Sequence, residues 1–225
     1  MTAAVSVIIP TRNEEPWIAG TLAAAFRAGA SEVIVADSGS TDRTTALAAE
    51  GGARVLPCTG PRARQLNDAV KIASNEALIF LHADTQLPAG AALAVVEALA
   101  GGKVVFGGFR IAFLEPDRRL RTVAAMINFR TRMTRCPWGD QAQFIRREIF
   151  LQMGGFREIS LMEDYDLALR MKRQGRTVIL PQLVSTSGRR FLNKGVLRTA
   201  AINWSIIIRF RLGADPKKLA EWYRR

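Results

Sequence analysis

The chain has 225 residues, of which 48% are hydrophobic, enough to bury the core of one ordinary domain. Its formal net charge is +12, from 32 Lys and Arg residues against 20 Asp and Glu residues. This composition excludes disorder over most of the chain. Only two cysteines are present, Cys58 and Cys136. Their number and separation exclude a disulfide framework and predict reduced, incidental thiols.

The positive charge is concentrated in two segments. One runs from Arg189 to the last residue, with ten Lys and Arg residues against two acids, and the other comprises the arginines of 118–135. Such clusters suit a polyanion, an anionic lipid surface or a phosphorylated substrate, and a solvated basic face is an equal alternative. Because no nucleic-acid reading motif accompanies the charge, we expect no nucleic-acid partner.

The first hundred residues alternate between two hydrophobic patterns. Short β-branched or apolar runs predict strands, and apolar residues at helical spacing predict helices. The predicted elements are strand 5–10, helix 17–26, strand 32–36, helix 44–50, strand 54–56, helix 62–74 and strand 77–81. This βαβαβαβ order predicts an α/β fold with a Rossmann-like, mostly parallel sheet and helices on both faces.

The second half is predicted in less detail. A strand is expected at 104–113, with Gly107 and Gly108 at a bulge or a close backbone approach. A second strand is expected at 138–145, after a long basic segment, with Asp140 and Gln141 at its start. A helix is expected at 165–174, which places Glu163 and the next residue in its first turn, where the helix dipole favours anions.

The last part of the chain predicts an amphipathic helix. Its apolar stripe comprises Val196, Leu197, Ala200, Ala201, Trp204, Ile207, Ile208 and Leu212. The stripe is too short to span a bilayer, so it predicts a membrane-interface helix, a helix docked on the rest of the domain or a homodimer contact. We expect a catalytic domain at 1–188, with halves at 1–100 and 101–188, followed by a basic helical extension at 189–225.

Asp84 is the strongest candidate for a ligand-binding carboxylate. It follows the buried strand predicted at 77–81 and precedes the chain reversal at Leu87-Pro88-Ala89-Gly90. Open α/β sheets bind ligands at the carboxyl ends of their strands, so Asp84 and the nearby His82 predict a metal site. His82 is the only histidine in the chain, and its imidazole can ligate Mn²⁺ but is a poorer ligand for Mg²⁺.

Three segments carry a resemblance to a known family. Val5-Ser6-Val7-Ile8-Ile9-Pro10-Thr11-Arg12-Asn13-Glu14, Ala36-Asp37-Ser38-Gly39-Ser40-Thr41-Asp42 and Phe80-Leu81-His82-Ala83-Asp84 resemble the nucleotide-sugar domain of family 2 glycosyltransferases, which have the GT-A fold. Glu163-Asp164 falls where that family has its acidic acceptor-side motif. The Leu-His-Ala-Asp-Thr loop resembles a small bacterial subgroup. The resemblance implies an inverting transferase that moves a sugar from a nucleoside diphosphate sugar to a hydroxyl acceptor, lipid-linked or glycan.

The resemblance also implies donor-binding residues. Asp37 matches the aspartate that binds the base or ribose, although a turn aspartate that accepts backbone hydrogen bonds would have the same sequence. Arg62 and Arg64 match a basic position facing the diphosphate, or are surface arginines. The remaining expected donor contacts are Pro10, Thr11, Asn13, Glu14, Ser38 and Ala83.

The metal and catalytic residues follow from the same resemblance. Asp84 matches the second acid of the family's Asp-X-Asp motif, which binds a divalent cation, Mn²⁺ or Mg²⁺, on the diphosphate. His82 replaces the first acid and is a metal ligand, a hydrogen-bond donor or a packed side chain. Asp164 is implied as the general base that deprotonates the acceptor, and Glu163 as the residue that orients the acceptor or the base. Acceptor contacts are expected from Trp138, Gly139, Asp140 and Gln141, or these are polar turn residues.

Two other functions remain as alternatives. A nucleotidyltransferase would carry a glycine-rich basic loop after the first strand, where this chain has Thr11-Arg12-Asn13-Glu14-Glu15. A non-catalytic, membrane-associated nucleotide-sugar-binding protein would have lost its metal acid while keeping the fold. No targeting segment is recognised before the first strand, so we expect a cytoplasmic protein, peripheral at the inner membrane face.

Overall fold

The computed structural model describes residues 3–224, and one mixed sheet organises them. Its eight strands are β1 Ala3–Thr11, β2 Ala30–Asp37, β3 Arg54–Pro57, β4 Ala77–Phe80, β5 Thr85–Gln86, β6 Val104–Phe113, β7 Gln143–Arg146 and β8 Arg176–Thr186. Their order across the sheet is β3-β2-β1-β4-β7-β6-β8-β5. Strands β1 to β4 are mutually parallel, whereas β7 runs antiparallel to both β4 and β6.

Helices lie between the strands and after the last one. They are α1 Glu15–Arg27, α2 Thr44–Glu50, α3 Arg62–Ile72, α4 Ala91–Ala100, α5 Arg118–Thr134, α6 Arg147–Gln152, α7 Glu163–Met171, α8 Arg189–Lys194, α9 Val196–Arg211 and α10 Pro216–Arg224. None of the helices in this described part of the chain combines the length and the apolar content that a bilayer span demands.

The core consists of two apolar layers, one on each face of the sheet. Successive side chains of a strand point to opposite faces, so β1 sends Val7 and Ile9 into one layer and Ile8 into the other. The first layer packs against α1 and α4, and the second against α3 and α7. The predicted close approach in β6 is confirmed, because a Cβ on Gly107 would overlap the Phe144 ring.

The parallel arrangement brings several loops to one edge of the sheet. Thr11 pairs with Asp37 at the ends of β1 and β2, and Ile8 pairs with Phe80 at the end of β4. The chain that follows each strand therefore leaves the sheet on the same side. Antiparallel pairing of Phe80 with Gln143 places the segment before β7 beside the loop that follows β4.

Two predicted bounds in the second half are wrong, and two elements of this half were not predicted. The basic segment 118–134 is a helix, because Leu120, Val123 and Ala124 are buried at helical spacing between its arginines. Residues 139–141 form a 3-10 helix, so the strand expected at 138–145 begins only at residue 143. Helix α7 ends at residue 171 rather than 174. Strand β8 was not predicted, because Pro181 interrupts a run of mixed polar and apolar residues.

The predicted amphipathic helix exists as α9, but most of its apolar stripe is not covered. Of the eight stripe residues, only Ile207 is buried, whereas Leu197 is 86% exposed and Leu212 82% exposed. The helix instead attaches to the domain through Thr199, Ile206 and Ile207. A helix docked by its whole stripe is therefore excluded for the described chain.

Candidate active site

Two cavities meet at the carboxyl edge of the sheet. The smaller one measures about 260 Å³ and is lined by Pro10, Glu14, Arg62, His82, Ala83, Asp84 and Arg189. The larger one measures about 650 Å³ and extends between α5, α9 and the first turn of α7. Arg62, His82, Asp84 and Arg189 line both cavities, so these four residues form the boundary between them.

Asp84 stands at this boundary in an ionic cluster that the sequence did not predict. Arg189 Nη2 lies 3.1 Å from Asp84 Oδ2 and donates hydrogen bonds to both carboxylate oxygens of Glu14 at 3.0 Å. Burial raises the pKa of Asp84, and the positive charge of Arg189 opposes that rise. One arginine thus compensates two carboxylates from distant parts of the sequence.

The fold fixes Arg189 over Asp84 through the end of β8. Thr85 of β5 pairs with Thr186 of β8, and the amide of Ser187 donates to the carbonyl of Asp84 at 3.1 Å. Glu115 then accepts hydrogen bonds from the Ser187 hydroxyl at 2.9 Å and from the amide of residue 188 at 2.7 Å. The first residue of α8 therefore lies where its guanidinium reaches the loop after β4.

His82 is a neutral imidazole with a free nitrogen. Burial and the nearby charges of Arg62 and Arg189 hold its pKa well below the usual value. Its Nε2 atom is buried and has no hydrogen-bond partner among residues 3–224. An unpaired buried polar atom costs free energy, so this nitrogen is available to a group that enters the site.

A divalent cation fits this boundary only together with the donor. Residues 3–224 contain no group of three or more His, Cys, Asp or Glu side chains placed to hold a metal ion by themselves. Asp84 supplies one carboxylate, and Mg²⁺ and Mn²⁺ accept one or two carboxylates when substrate phosphates and water complete the shell. The free Nε2 of His82 is a further donor atom suited to Mn²⁺.

Asp164 lies in the larger cavity at the first turn of α7. Its Oδ2 atom accepts a hydrogen bond of 2.6 Å from the amide of Gly139. A Cβ at Gly139 would lie 2.8 Å from His82 Nε2 and 2.9 Å from Asp164 Oδ2, so only glycine leaves both side chains in place. The side chain of Gln143 donates to the carbonyl of Asp164 at 2.9 Å, which fixes the backbone of this turn.

Glu163 lines the same cavity as Asp164, but its carboxylate is paired with a cation. Its side chain is 9% exposed and accepts a hydrogen bond of 3.1 Å from Arg62 Nη1. Burial raises the pKa of Glu163, and the charge of Arg62 opposes the rise. The pair connects α3 to α7 and holds the guanidinium at the boundary of the two cavities.

The segment predicted for acceptor contacts divides into lining and supporting residues. Trp138 and Asp140 line the larger cavity. Burial raises the pKa of Asp140 to about 6, although Arg130 opposes the rise. Gln141 is fully buried and donates to the carbonyl of Phe109 at 2.9 Å, so a direct acceptor contact by Gln141 is excluded by its position.

Arg130 is a second cavity residue that sequence analysis missed. Its guanidinium carbon lies 3.5 Å from the centre of the Trp138 ring, and Nη2 donates to Gln141 at 3.2 Å. Desolvation lowers the pKa of this arginine, and Asp140 opposes the change. Only the helical phase of α5, which sequence analysis did not assign, distinguishes it from the arginines around it.

The residues at and after the ends of β1 and β2 form hydrogen bonds mainly with one another. The Asp37 carboxylate accepts from the hydroxyls of Thr11 and Ser40 and from the amides of Gly39 and Ser40. Since a carboxylate offers about four acceptor positions, a ligand donor would have to displace one of these bonds. Asn13, with a positive φ of 54°, accepts from the amide of residue 41 at 2.8 Å.

Several predicted donor residues lie away from the two cavities. Thr11, Asn13, Asp37, Ser38 and Arg64 line neither of them. Arg64 turns outward and pairs with Glu158 at 2.7 Å on the surface, so the expected role facing the diphosphate does not fit its position. The thiols of Cys58 and Cys136 are both free, as predicted.

Comparison with known proteins identifies the family. The sequence model of glycosyl transferase family 2 matches residues 6–160, which include most of β1, the loop after β4 and most of the segment before α7. The chain belongs to glycosyl transferase family 2. The match ends before Glu163 and Asp164 and does not include the C-terminal helices that cover the larger cavity. None of the functionally curated proteins compared with the chain matches it.

Solved glycosyltransferases of GT-A fold share this architecture. One is the mannosyltransferase PcManGT from Pyrobaculum calidifontis in complex with GDP-Man and Mn²⁺, with 22% identity, a TM-score of 0.59, and coverage of 82% of this chain and 56% of that chain. Another is S. aureus TarS 1-349 with UDP-GlcNAc, with 18% identity, a TM-score of 0.62, and coverage of 81% and 58%. This family 2 chain thus spans less than two thirds of either protein, and the likeness establishes the GT-A fold.

A third similar structure holds a different set of ligands. It is glucosyl-3-phosphoglycerate synthase from Mycobacterium tuberculosis with Mn²⁺, UDP and phosphoglyceric acid, with 22% identity, a TM-score of 0.55, and coverage of 81% of this chain and 69% of that chain. The nucleotides bound in the three structures are GDP-Man, UDP-GlcNAc and UDP, which are not the same in base or in sugar. The shared fold therefore does not select a donor for this family 2 member.

Proposed function

We propose that the chain transfers a sugar from a nucleoside diphosphate sugar to a hydroxyl acceptor, with inversion at the anomeric carbon. The observation that carries this proposal is the junction of the two cavities. A small ionic cavity and a larger cavity meet at Arg62, His82, Asp84 and Arg189, and the Asp164 carboxylate lies on the side of the larger one. An inverting transferase needs this separation, because the acceptor oxygen attacks the anomeric carbon of the donor from the side opposite to the leaving diphosphate.

The smaller cavity suits the diphosphate of the donor. Arg62 and Arg189 bring two cations to its wall, and an arginine can bind phosphate oxygens with two parallel hydrogen bonds. A divalent cation held by Asp84, with His82 as a further ligand, would neutralise charge that develops on the leaving diphosphate. Arg189 already compensates Asp84 in the structure, so a bound cation would share the neutralisation of that carboxylate with Arg189.

Asp164 acts in this proposal as the general base. Its Oδ2 atom is oriented by the amide of Gly139 at 2.6 Å, and the carboxylate borders the larger cavity. The acceptor hydroxyl gives its proton to this carboxylate as its oxygen attacks the anomeric carbon, and the diphosphate leaves from the opposite side. Glu163 is a positioning residue, because its carboxylate is paired with Arg62. Trp138, Gly139 and Asp140 form the acceptor side of the junction.

The donor site is tested by thermal unfolding in the presence of nucleoside diphosphates and nucleotide sugars, each with Mn²⁺, Mg²⁺ or neither. A ligand that binds only the native state raises the unfolding temperature by mass action. We expect a shift with one nucleotide that depends on metal and is lost in Asp84→Asn. The matched control is Asp68→Asn, since Asp68 contacts Lys71 on the outer surface of α3. No shift with any nucleotide in the folded wild-type chain refutes the proposal.

The catalytic role of Asp164 requires a separate measurement. Asp164→Asn keeps an oxygen that can accept from the Gly139 amide but removes the base, so we expect turnover to fall about 10²- to 10⁴-fold with donor binding unchanged. Equal turnover in the variant and the wild type would favour the non-catalytic binding protein. Membership of family 2 disfavours the nucleotidyltransferase alternative.

We also propose peripheral contact with an anionic bilayer through α9. The exposed residues Leu197, Ile208 and Leu212 lie on one side of the helix, which also carries exposed Arg198 and Arg209. Sedimentation with vesicles of phosphatidylcholine alone or with phosphatidylglycerol tests this contact. We expect binding only to the anionic vesicles, reduced by salt. A mass that doubles with concentration, without vesicle binding, would instead indicate a homodimer through the same stripe.

A further inference from the structure

The larger cavity changes in chemical character along its length. One end carries the boundary residues together with Glu163, Asp164 and Asp140. The other end is formed by α5, α9 and the chain before α7, and its side chains are mostly apolar, with Ser160 and Asn203 as polar members. The apolar members include Val123, Met126, Ile127, Ile159, Leu161, Trp204, Ile206 and Ile207. A ligand that fills the cavity therefore needs a polar end at Asp164 and an apolar body beyond it.

The apolar end opens onto an uncovered apolar surface. Met126 and Trp204 line the cavity and are still 55% and 49% exposed, so they stand at its mouth. Phe129 and Met133 continue the exposed face of α5 beyond Met126, and Ile208 continues that of α9. Contiguous exposed apolar groups on a single chain mark an interaction site. The surface is thus an extension of the cavity and not a separate feature.

The helices that form this end of the cavity, and the neighbouring α10, carry exposed cations. Arg132 of α5, Arg198 and Arg209 of α9 and Lys217 of α10 are all exposed. Arg190 reaches the cavity wall itself, where it stacks on Tyr223 with its guanidinium carbon 3.5 Å from the ring centre. The helices around the apolar end therefore carry exposed positive charge, which suits an amphiphile at a lipid surface.

We propose that the acceptor is an amphiphilic alcohol, whose hydroxyl lies at Asp164 and whose hydrocarbon chain fills the cavity between α5 and α9. This inference rests on the transferase function proposed above and names the class of its acceptor. In the transfer, the bond from the alcohol oxygen to the anomeric carbon forms as the bond to the diphosphate breaks. The alcohol proton passes to Asp164, and the nucleoside diphosphate leaves.

Chain-length dependence provides the test. Linear primary alkanols from hexanol to dodecanol are titrated below their aggregation limits, with the emission of the cavity tryptophans, Trp138 and Trp204, as the readout. Each buried CH₂ group should tighten binding about fourfold, which corresponds to about 0.8 kcal/mol. The increase should level off once the chain fills the cavity of about 650 Å³. Binding that does not depend on chain length overturns the proposal.

Two neighbouring alanines of α9 provide a matched pair of variants. Ala200 lines the cavity, whereas Ala201 is exposed and lies outside it. Ala200→Phe should abolish the gain from hexanol to dodecanol, and Ala201→Phe should retain it. Equal behaviour of the two variants overturns the proposal, because adsorption to the outer surface would not distinguish them. Unfolding temperatures of both variants confirm that they remain folded.

Different results would refute the proposed acceptor class and the proposed transferase function. The nucleotide panel is measured by thermal unfolding on the wild type and on Ala200→Phe, since Ala200 does not line the smaller cavity. Nucleotide shifts without alkanol binding overturn the acceptor class and leave the donor site intact. Alkanol binding with the predicted chain-length dependence, but without any nucleotide shift, supports the cavity assignment and refutes the transferase function.

Discussion

Replacing Arg189 by methionine removes a cation that contacts both Glu14 and Asp84 while retaining a long side chain. The wild-type guanidinium donates to Glu14 at 3.0 Å and lies 3.1 Å from Asp84. Its side chain is 42% exposed, compared with 15% for Asp84. A hydrogen bond to a charged group contributes about 1.5–3 kcal/mol when buried, and exposed ion pairs contribute about 0–1 kcal/mol. The partly exposed cluster should therefore contribute about 1–2 kcal/mol to the free energy of unfolding.

The pH dependence of this loss distinguishes a charge effect from lost packing. Arg189 lowers the pKa of Asp84 in the folded state, so the pKa of Asp84 should be higher in Arg189→Met. The loss in the free energy of unfolding of the variant is then largest at high pH, where Asp84 is ionised without its cation. The penalty should shrink as the pH falls from 8 towards about 4, the unfolded pKa, where the carboxyl becomes protonated in both states.

Urea unfolding at pH 5 and pH 8 measures the difference between the wild type and the variant. The control is Arg190→Met, because Arg190 stacks on Tyr223 and only burial shifts its pKa. Its effect on the free energy of unfolding should be the same at both values. A penalty for Arg189→Met that does not change between pH 8 and pH 5, or that matches the control, refutes the ionic cluster.

Three further results are expected. Arg62→Ala leaves the Glu163 side chain, which is 9% exposed, without its cation, and should lower the free energy of unfolding in chemical denaturation by about 2–3 kcal/mol. Arg64→Ala breaks an exposed ion pair and should lower it by less than about 1 kcal/mol. Asp140→Asn should stabilise the chain more at pH 8 than at pH 5, because a carboxyl with a pKa of about 6 is ionised against burial only at the higher pH; the same gain at both values contradicts this. Gly139→Ala should reduce turnover while the chain remains folded, since its Cβ would lie 2.9 Å from Asp164 Oδ2 and 2.8 Å from His82 Nε2. Unchanged turnover would show that the two side chains move aside without an effect on the reaction.

The donor half could be predicted because its elements are encoded locally. Val5–Pro10 and Ala77–Phe80 are short apolar runs with polar boundaries, and the helices between them show their spacing clearly. Parallel topology then places every strand end at one edge, so Asp84 could be assigned to a site without a structure. The helical spacing of the apolar residues after it also placed Asp164 at the start of a helix.

The parts that could not be predicted depend on contacts between residues far apart in sequence. Arg189 contacts Glu14 across 175 positions, and nothing in its neighbourhood distinguishes it from Arg190. Arg130 was counted in a basic cluster because arginines obscure the helical spacing of α5. Gln141 was expected to contact an acceptor, but its side chain is buried against β6. Sequence patterns report the direction of a side chain only where the secondary structure is already known.

Residues 189–223 contribute part of the wall of the larger cavity, and this part could vary between related chains independently of the rest of the domain. The family sequence model ends at residue 160, whereas the apolar part of the cavity depends on α9 and α10. A chimera that exchanges this C-terminal segment between relatives would change the shape of the wall while leaving the strand ends and Asp84 unaltered. The exception is Arg189, which belongs to both regions, so a graft that begins after it should preserve the diphosphate side. Specificity for the second substrate would then be a modular property of the tail, open to variation without altering the chemistry.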